Sequence, residues 1–151
     1  MSIELTEELK GVINGALEAG TPMIVATVDA EGRPRMSFRG SIQSFSDDQV
    51  GFWARNREGS TLESIAANPH VAMMYRSPAT RVVLQLAGRA RIATDPAEIA
   101  QVYDSAPEFE RKADPERKGT GVIVDLDKVE GFLGVAADGT RRFVRMARDE
   151  G

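Results

Sequence analysis

The sequence predicts a mainly β protein with accessory α-helices, organised as a closed antiparallel barrel. Short apolar segments recur along the chain, the turns between them are hairpin-like, and no long helices alternate with strands as a parallel sheet would require. The segment "RVVLQLAGRARI" is the longest, and its apolar and polar side chains alternate as in a sheet with one buried face. The apolar face holds Val82, Leu84, Leu86, Ala90 and Ile92, and the other holds Arg81, Gln85, Arg89 and Arg91 with Val83 and Ala87.

In the first half of the chain, apolar residues at helical spacing from Leu5 to Leu17 predict a helix, with Thr6 as its cap and Gly20 as its end. "MIVATVDA" predicts a first strand and "DAEGRP" a turn. "RMSFRGSIQSF" predicts a second strand interrupted by Gly40. After the turn "SDDQ", "VGFWAR" predicts a third strand.

The second half begins with a capping box, in which Ser60 is the N-cap of a short helix and Glu63 lies three residues later. Asn68-Pro69 ends this helix. "VAMMYR" is a fourth strand, and "SPAT" leads into the longest one. Asp95-Pro96 opens another helix, which carries Ile99, Val102 and Tyr103 and extends towards Phe109. The polar connection "KADPERKGTG", the sixth strand "VIVDLDKVEGFLG", the turn "AADGT" and the last strand "RRFVRMAR" follow.

Composition narrows the possible functions. A chain of 151 residues predicts a single domain over residues 1–151, and 42% apolar with 28% charged residues is typical of a globular protein. The net charge of −4 argues against nucleic acid as a partner. The absence of cysteine excludes disulfides, thiolate catalysis and cysteine metal sites. "MSIELTEELK" does not have the pattern of a signal peptide, and no apolar run could span a membrane, so we expect a cytoplasmic protein.

Two polar clusters are candidates for binding a phosphate. Ser37, Arg39 and Ser41 alternate along the second strand and are expected on one face, beside Gly40, where a ligand could approach closely. The other cluster lies at the N-terminus of the short helix, where free backbone N–H groups and the helix dipole favour anions. Its members are Arg55, Arg57, Ser60 and Thr61.

Each cluster also has an ordinary explanation. Alternating polar residues in a strand usually form a solvated face, and Ser60 as N-cap would occupy the N–H groups that a phosphate needs. Trp53 could stack on a flat ring or pack in the core. The single histidine, His70, is expected at a solvated strand start, no metal site is predicted, and no side chain stands out as a catalytic acid or base.

The order of these segments resembles the pyridoxamine 5′-phosphate oxidase-like superfamily of flavin-binding split barrels. The resemblance covers Pro22 to Ile92, with "VDAEGRP" after the first strand, "NP" after the short helix and "GRARI" in the long strand, and extends loosely to "GVIVDLDKVEG". It implies a six-stranded antiparallel split β-barrel and a homodimer with flavin mononucleotide (FMN) at the subunit interface. It also implies phosphate contacts from the second strand and from the turn before the short helix.

Carried onto this chain, the resemblance implies that Arg39, Ser41, Ser60 and Thr61 bind the phosphate, with Arg55 as a further candidate. Ser37, Ile42 and Trp53 would line the ring or ribityl region, and Gln85 would contribute from the other subunit. The strand motif of the true oxidases is replaced here by Ser37-Phe38-Arg39-Gly40-Ser41-Ile42, and their substrate signature is not recognisable near residues 141–148. We therefore expect an FMN-dependent oxidoreductase acting on an unknown small molecule. A deazaflavin-dependent reductase and a non-catalytic flavin or haem binder or sensor are the alternatives.

Overall fold

A computed structural model describes residues 2–149, so Met1, Glu150 and Gly151 of the predicted domain lie outside the described residues. The described chain forms four helices and eight strands. The helices are α1 (Glu7–Asn14), α2 (Ser60–Ala67), α3 (Pro96–Ser105) and α4 (Glu108–Ala113). The strands are β1 (Met23–Val28), β2 (Pro34–Arg39), β3 (Gln43–Ser46), β4 (Gln49–Ala54), β5 (His70–Ser77), β6 (Val82–Ile92), β7 (Thr120–Val135) and β8 (Arg141–Ala147).

All eight strands belong to one antiparallel sheet with the order β2-β1-β5-β6-β7-β4-β3, and β8 pairs with β7 off this path. The mainly β class is confirmed, but the count of six strands is wrong. The predicted second strand is two strands, β2 and β3, which lie at opposite ends of the order. The expectation of a closed barrel is also wrong, because β2 and β3 do not pair with each other in the described chain.

The link between β2 and β3 nevertheless forces the sheet to curl. Arg39 ends β2 at one edge, and Gln43 begins β3 at the other. Four successive Cα–Cα steps can span roughly 14 Å at most. Two edges of a seven-strand path can lie this close only if the sheet bends round into an incomplete barrel, and the core fills its inside.

The inward-facing side chains form one main core. The largest fully buried ones are Phe52, Leu9, Ile13, Met23, Met73, Leu84, Leu86, Ile123 and Leu126. The alternation predicted for the long strand is confirmed, since Val82, Leu84, Leu86 and Ala90 are buried and Arg81, Gln85, Arg89 and Arg91 are exposed.

The capping residues show where the helices begin and end, and two of the predicted helix starts are confirmed. Thr6 caps α1 by accepting a hydrogen bond from the Leu9 amide, and Asp95 caps α3 by accepting from the Ala97 amide, as predicted. However, α1 ends at Asn14 rather than near Gly20, because the chain turns at Gly15. Phe109 is not part of α3. It lies on the separate helix α4 with its side chain 75% exposed.

A second, smaller cluster is organised by the Asp114 carboxylate. The Trp53 indole Nε1 donates to Asp114 Oδ2 at 2.9 Å, and the amides of Gly119 and Lys118 donate to the two carboxylate oxygens at 2.8 and 3.0 Å. The Tyr103 ring packs edge-on against Trp53, with 5.0 Å between ring centroids. Asp114 therefore ties the loop before β7 to β4.

We expect Asp114→Ala to lower the free energy of unfolding by about 2–4 kcal/mol, because the buried indole and two amides lose their acceptor. The matched control is Asp104→Ala, which removes an exposed carboxylate paired with Arg117 and should cost less than about 1 kcal/mol. Urea denaturation measures both values. Equal losses for the two variants would contradict this role of Asp114.

The contribution of Asp114 should depend on pH. Burial alone raises the pKa of this carboxyl, but hydrogen bonds from Trp53, Gly119 and Lys118 bring it below its ordinary value. A lowered folded-state pKa stabilises the protein above the unfolded value of about 3.9, and the gain is lost as pH falls through the folded value. We expect the stability difference between the unsubstituted protein and Asp114→Asn to shrink below about pH 4. A difference that stays constant from pH 7 to pH 3 would refute this expectation.

Candidate anion-binding site

Strand β2 presents one row of polar side chains to the inner side of the sheet. Directly paired residues of antiparallel strands point to the same face. In the β1–β2 register, Arg39, Ser37 and Arg35 pair with the buried Met23, Val25 and Thr27. These three side chains therefore project from the sheet edge towards the inner side, where α2 lies.

Arg39 is the central side chain of this row. Its Nη2 donates to the hydroxyl of Thr61 in the first turn of α2. Its guanidinium carbon lies 5.7 Å from the centre of the Phe52 ring. Its Nε is buried and has no hydrogen-bond partner among the described residues. A buried donor without an acceptor is unfavourable, and an anion beside it would supply the acceptor.

The charges around Arg39 also favour an anion. Burial lowers the pKa of the Arg39 guanidinium, and the positive charge of Arg55 lowers it further, whereas the carboxylate of Glu110 acts in the opposite direction. Two guanidinium groups thus influence one another at a partly desolvated position. A phosphate between or beside them would relieve this repulsion.

The N-terminus of α2 is not capped as predicted. The N-cap is Gly59, with no side-chain hydrogen bond, and Ser60 is the first residue of the helix. The predicted capping box of Ser60 and Glu63 is therefore wrong. Since no side chain caps the first turn, the ordinary explanation for Ser60 no longer applies, and its exposed hydroxyl lies next to Thr61.

Ser41 does not share a strand face with Ser37 and Arg39, contrary to the prediction. It follows the end of β2 and is buried, and its hydroxyl accepts from the Trp53 amide at 2.9 Å and lies 3.3 Å from the Trp53 carbonyl. Ile42 and Trp53 are also buried, and the indole of Trp53 is bound to Asp114. Of the two roles considered for Trp53, core packing is the one observed.

The remaining predicted residues lie in three places. Arg55 is exposed at the end of β4, within electrostatic reach of Arg39. Arg57 points elsewhere, since its Nε donates to the carbonyls of Lys118 and Gly119. Gln85 lies exposed on the outer face of the sheet, paired with Met74 and Glu130, so within one chain it is not brought together with Arg39. His70 is exposed at the start of β5.

Sequence reasoning missed Arg35 and Glu110. Arg35 and Ser60 line a cavity of about 210 Å³, but the carboxylates of Asp29, Glu31 and Glu63 line it as well, so this cavity is not a purely basic extension of the Arg39 cluster. The alternation of Arg35 with Ser37 and Arg39 was a readable signal, whereas the approach of Glu110 depends on the packing of α4 and left no local signal. Glu110 lies so close to Gly40 that a Cβ on that glycine would be 2.5 Å from its Oε1.

Residues 2–149 contain no group of three or more histidine, aspartate and glutamate side chains placed to hold a metal ion. None of the helices in this range is both long enough and apolar enough to cross a membrane.

The chain is similar to known proteins both in sequence and in three-dimensional structure. The sequence model of the pyridoxamine 5′-phosphate oxidase family matches residues 5–129. No curated protein matches the sequence. Among solved structures, HupZ of Group A Streptococcus is 22% identical with a TM-score of 0.65, over 90% of this chain and 97% of that one.

Two further solved structures are similar to this chain. A pyridoxamine 5′-phosphate oxidase-related, FMN-binding protein from Nostoc punctiforme is 16% identical with a TM-score of 0.63, over 93% of this chain and 94% of that one. PhzG from Burkholderia lata, in complex with tetrahydrophenazine-1-carboxylic acid, is 16% identical with a TM-score of 0.67, over 98% and 88%. At this level of sequence identity, the similarity shows only that these proteins share the fold of this chain.

The two serines near Arg39 should respond differently to replacement. Ser41→Ala leaves the buried Trp53 amide without its acceptor and should lower the free energy of unfolding by about 1–3 kcal/mol. Ser37→Ala removes an exposed hydroxyl and should change it by less than about 0.5 kcal/mol. Chemical denaturation compares the two. A Ser37 variant as destabilised as the Ser41 variant would contradict these assignments.

Proposed function

Because the chain belongs to the pyridoxamine 5′-phosphate oxidase-like family, which includes FMN-binding proteins, we propose that it binds FMN and acts as an oxidoreductase on a small molecule. When bound, FMN supplies the hydride or electron transfer. The protein's residues hold the cofactor, orient it and set its electrostatic surroundings. A cytoplasmic location is part of the same proposal.

The observation that carries this proposal is the unpartnered Nε of Arg39. It is a buried donor at a position that also offers the Thr61 hydroxyl, the Ser37 hydroxyl and a helix N-terminus without a side-chain cap. A phosphate monoester has the acceptor oxygens and the charge that this set requires. The residues present therefore fit the phosphate end of FMN.

Individual roles follow from position. Arg39 binds the phosphate, and Thr61 orients Arg39 through the hydrogen bond that joins them. Ser37 and Ser60 add hydroxyl donors, and Arg55 supplies a second positive charge. Arg35, which the sequence argument left out, extends the basic row along β2. Ser41 does not contact the phosphate. It stabilises the end of β2, next to Arg39, because its hydroxyl accepts a hydrogen bond from the Trp53 amide.

The outer face of the sheet supports a homodimer. Met36, Phe38 and Phe143 are 76%, 68% and 78% exposed, and Met74 is 41% exposed. The pairings Phe38–Ile24 and Ile24–Met74 place these three side chains next to one another, with Met36 two residues along β2 on the same face. Phe143 lies on that face too, but three strands away from Met74. A monomer rarely leaves such a continuous apolar strip in water. Association through this strip would also bring Gln85 of one subunit to the other, as its predicted role requires.

Replacing Arg39 should remove the cofactor. We expect Arg39→Gln to weaken FMN binding at least roughly tenfold, because one charge-assisted hydrogen bond contributes about 1.5–3 kcal/mol. The control is Arg148→Gln, an exposed arginine after the end of β8 that is paired with Asp48 and Asp127. Visible absorption of the purified proteins and mass analysis of what heat releases measure the result. Equal retention of FMN by both variants would refute the site.

The purified unsubstituted protein also distinguishes an FMN-dependent enzyme from a non-catalytic binding module and from a deazaflavin-dependent reductase. A yellow protein that releases FMN and turns over a reduced nicotinamide with an electron acceptor is an enzyme, whereas one without turnover is a binding or sensor module. A protein that releases a deazaflavin would favour the reductase alternative. A colourless protein that also fails to bind added FMN would contradict the proposal.

The dimer has its own test. We expect Phe38→Asp to shift the protein from dimer to monomer, because a carboxylate in the apolar strip would be buried without a partner on association. Phe109→Asp is the matched control, since Phe109 is 75% exposed on α4, away from the strip. Light scattering after size exclusion gives the mass of each variant. A monomeric unsubstituted protein, or dimers of both variants, would contradict the proposed interface.

A further inference from the structure

Helix α4 brings a carboxylate to the crossing from β2 to β3, beside the Arg39 site. Its residue Glu110 lies against Gly40, because a Cβ on that glycine would be 2.5 Å from Glu110 Oε1. Gly40 directly follows Arg39, whose buried Nε has no hydrogen-bond partner among residues 2–149. Glu110 also lies within electrostatic reach of the Arg39 guanidinium. A phosphate bound to Arg39 therefore has a carboxylate of the protein as its neighbour.

The Glu110 carboxylate is not engaged elsewhere. In the part of the chain that the structure describes, its side chain forms neither a hydrogen bond nor an ion pair. The other charged side chains of α4 have partners, since Glu108 pairs with Lys112 at 3.1 Å and the Arg111 Nε donates to the Ala106 carbonyl. Glu110 is therefore the acidic residue of α4 that remains available to a ligand.

The charged groups around this carboxylate come from other elements of the fold. Strand β2 supplies Arg39, and the end of β4 supplies Arg55, which acts on Arg39 as well. The segment after α1 meets Gly40 through the apolar side chain of Leu17. The first turn of α2 carries an exposed carboxylate, Glu63, which is not among the charges that act on Arg39.

These charges match a singly ionised phosphate better than a doubly ionised one. Arg39 and Arg55 contribute two positive charges and Glu110 one negative charge, so the local charge is +1. A phosphate monoester approaches a charge of −2 once it loses its second proton near about pH 6. Two neighbouring anionic groups disfavour each other's ionisation, and one proton held between them removes the repulsion. The bound pair of phosphate and Glu110 then carries the charge that two arginines balance.

We propose that Glu110 is a specificity-determining residue, and that the site binds a phosphate monoester with one proton shared between a phosphate oxygen and the Glu110 carboxylate. The proposal rests on the proposed function, because the monoester concerned is the phosphate end of FMN. The proton comes from the ligand itself below about pH 6 and from solvent above it, and it leaves with the ligand. A hydrogen bond between P–OH and a carboxylate is charge-assisted and short. A sulfate ester has no proton to share near neutral pH, so Glu110 repels it.

FMN affinity should therefore fall as pH rises. Roughly half of the free phosphate carries the second proton at pH 6 but only about one part in a hundred at pH 8. We expect the unsubstituted protein to lose at least about tenfold in FMN affinity between these values, and Glu110→Gln to lose less than about threefold. An amide can accept from the singly ionised phosphate and donate to the doubly ionised one. Fluorescence titration of the flavin-free proteins measures the affinities, and an equally steep loss in Glu110→Gln overturns the proposal.

Two other glutamates are the matched controls. Glu108→Gln removes the same charge from the same helix, but at a side chain that is paired with Lys112. Glu63→Gln removes the carboxylate in the first turn of α2. Both variants should keep the pH dependence of the unsubstituted protein. If Glu63→Gln abolishes the dependence and Glu110→Gln does not, the proton is held at α2 and the proposal is overturned.

Gly40→Ala displaces the carboxylate without removing it. The added methyl group would occupy space taken by Glu110 Oε1 and by Leu17 Cδ1, and both atoms end flexible side chains that can shift. We expect the pH dependence of FMN binding to shrink as it does in Glu110→Gln, and thermal unfolding shows whether the variant is folded. A folded Gly40→Ala protein with the full pH dependence overturns the proposal.

Phenyl phosphate and phenyl sulfate separate this proposal from the flavin proposal, because they have similar shapes but only the phosphate takes up a proton near about pH 6. Calorimetric titration at pH 7 in two buffers of different ionisation enthalpy counts the protons. We expect uptake of nearly one proton with phenyl phosphate, little uptake in Glu110→Gln, and at least about tenfold weaker binding of phenyl sulfate. FMN binding without proton uptake overturns this proposal and leaves the flavin proposal standing. Proton-linked binding of phenyl phosphate by a protein that rejects FMN supports Glu110 and contradicts the flavin. Failure of both phosphates to bind overturns both proposals.

Discussion

The short crossing from β2 to β3 is the constraint on which the rest of this structure depends. Residues 40–42 must join the two ends of a seven-strand path, so they bring opposite sheet edges together without pairing them. Gly40 allows the passage because a Cβ there would meet both Glu110 and Leu17. Ser41 then fixes the crossing to β4 through the amide of Trp53.

This crossing also explains why a charged side chain is half-buried at the sheet edge. Arg39 is the last residue of β2 and faces inwards, so curling the sheet brings its guanidinium over Phe52 and against the first turn of α2. Burying a guanidinium with one donor unpaired is unfavourable for the protein alone. A bound phosphate would complete the arrangement, and binding and folding are then linked at this position.

The two faces of the sheet have different characters as a result. The inner face combines the core with the basic row of β2, whereas the outer face carries the exposed aromatic and methionine side chains together with Arg76, Arg81 and Arg141, which line one cavity. The net charge of −4 does not reveal the basic side chains on either face, because acidic residues elsewhere on the surface outweigh their charge.

The sequence predicted correctly those features that depend on interactions between residues close together in the chain. The alternation in β6 and the Thr6 and Asp95 caps were predictable because strand period and capping chemistry act over a few residues. The clusters that contain Arg39 and Thr61 were picked out in the same way, and the structure brings these two residues into contact. The split of "RMSFRGSIQSF" into two distant strands was not readable, since sheet order is set by pairing across the whole chain. For the same reason Ser41 was assigned to the wrong environment, and Gly59 rather than Ser60 proved to be the cap.

The affinity of the protein for FMN relative to riboflavin tests the central claim most directly, because the two ligands differ only in the phosphate. If Arg39, Thr61 and the first turn of α2 form a phosphate site, FMN should bind at least roughly a hundredfold more tightly, as two charge-assisted hydrogen bonds would provide. Fluorescence titration of the flavin-free protein measures both constants. Equal affinities for FMN and riboflavin would contradict the claim that this cluster binds a phosphate.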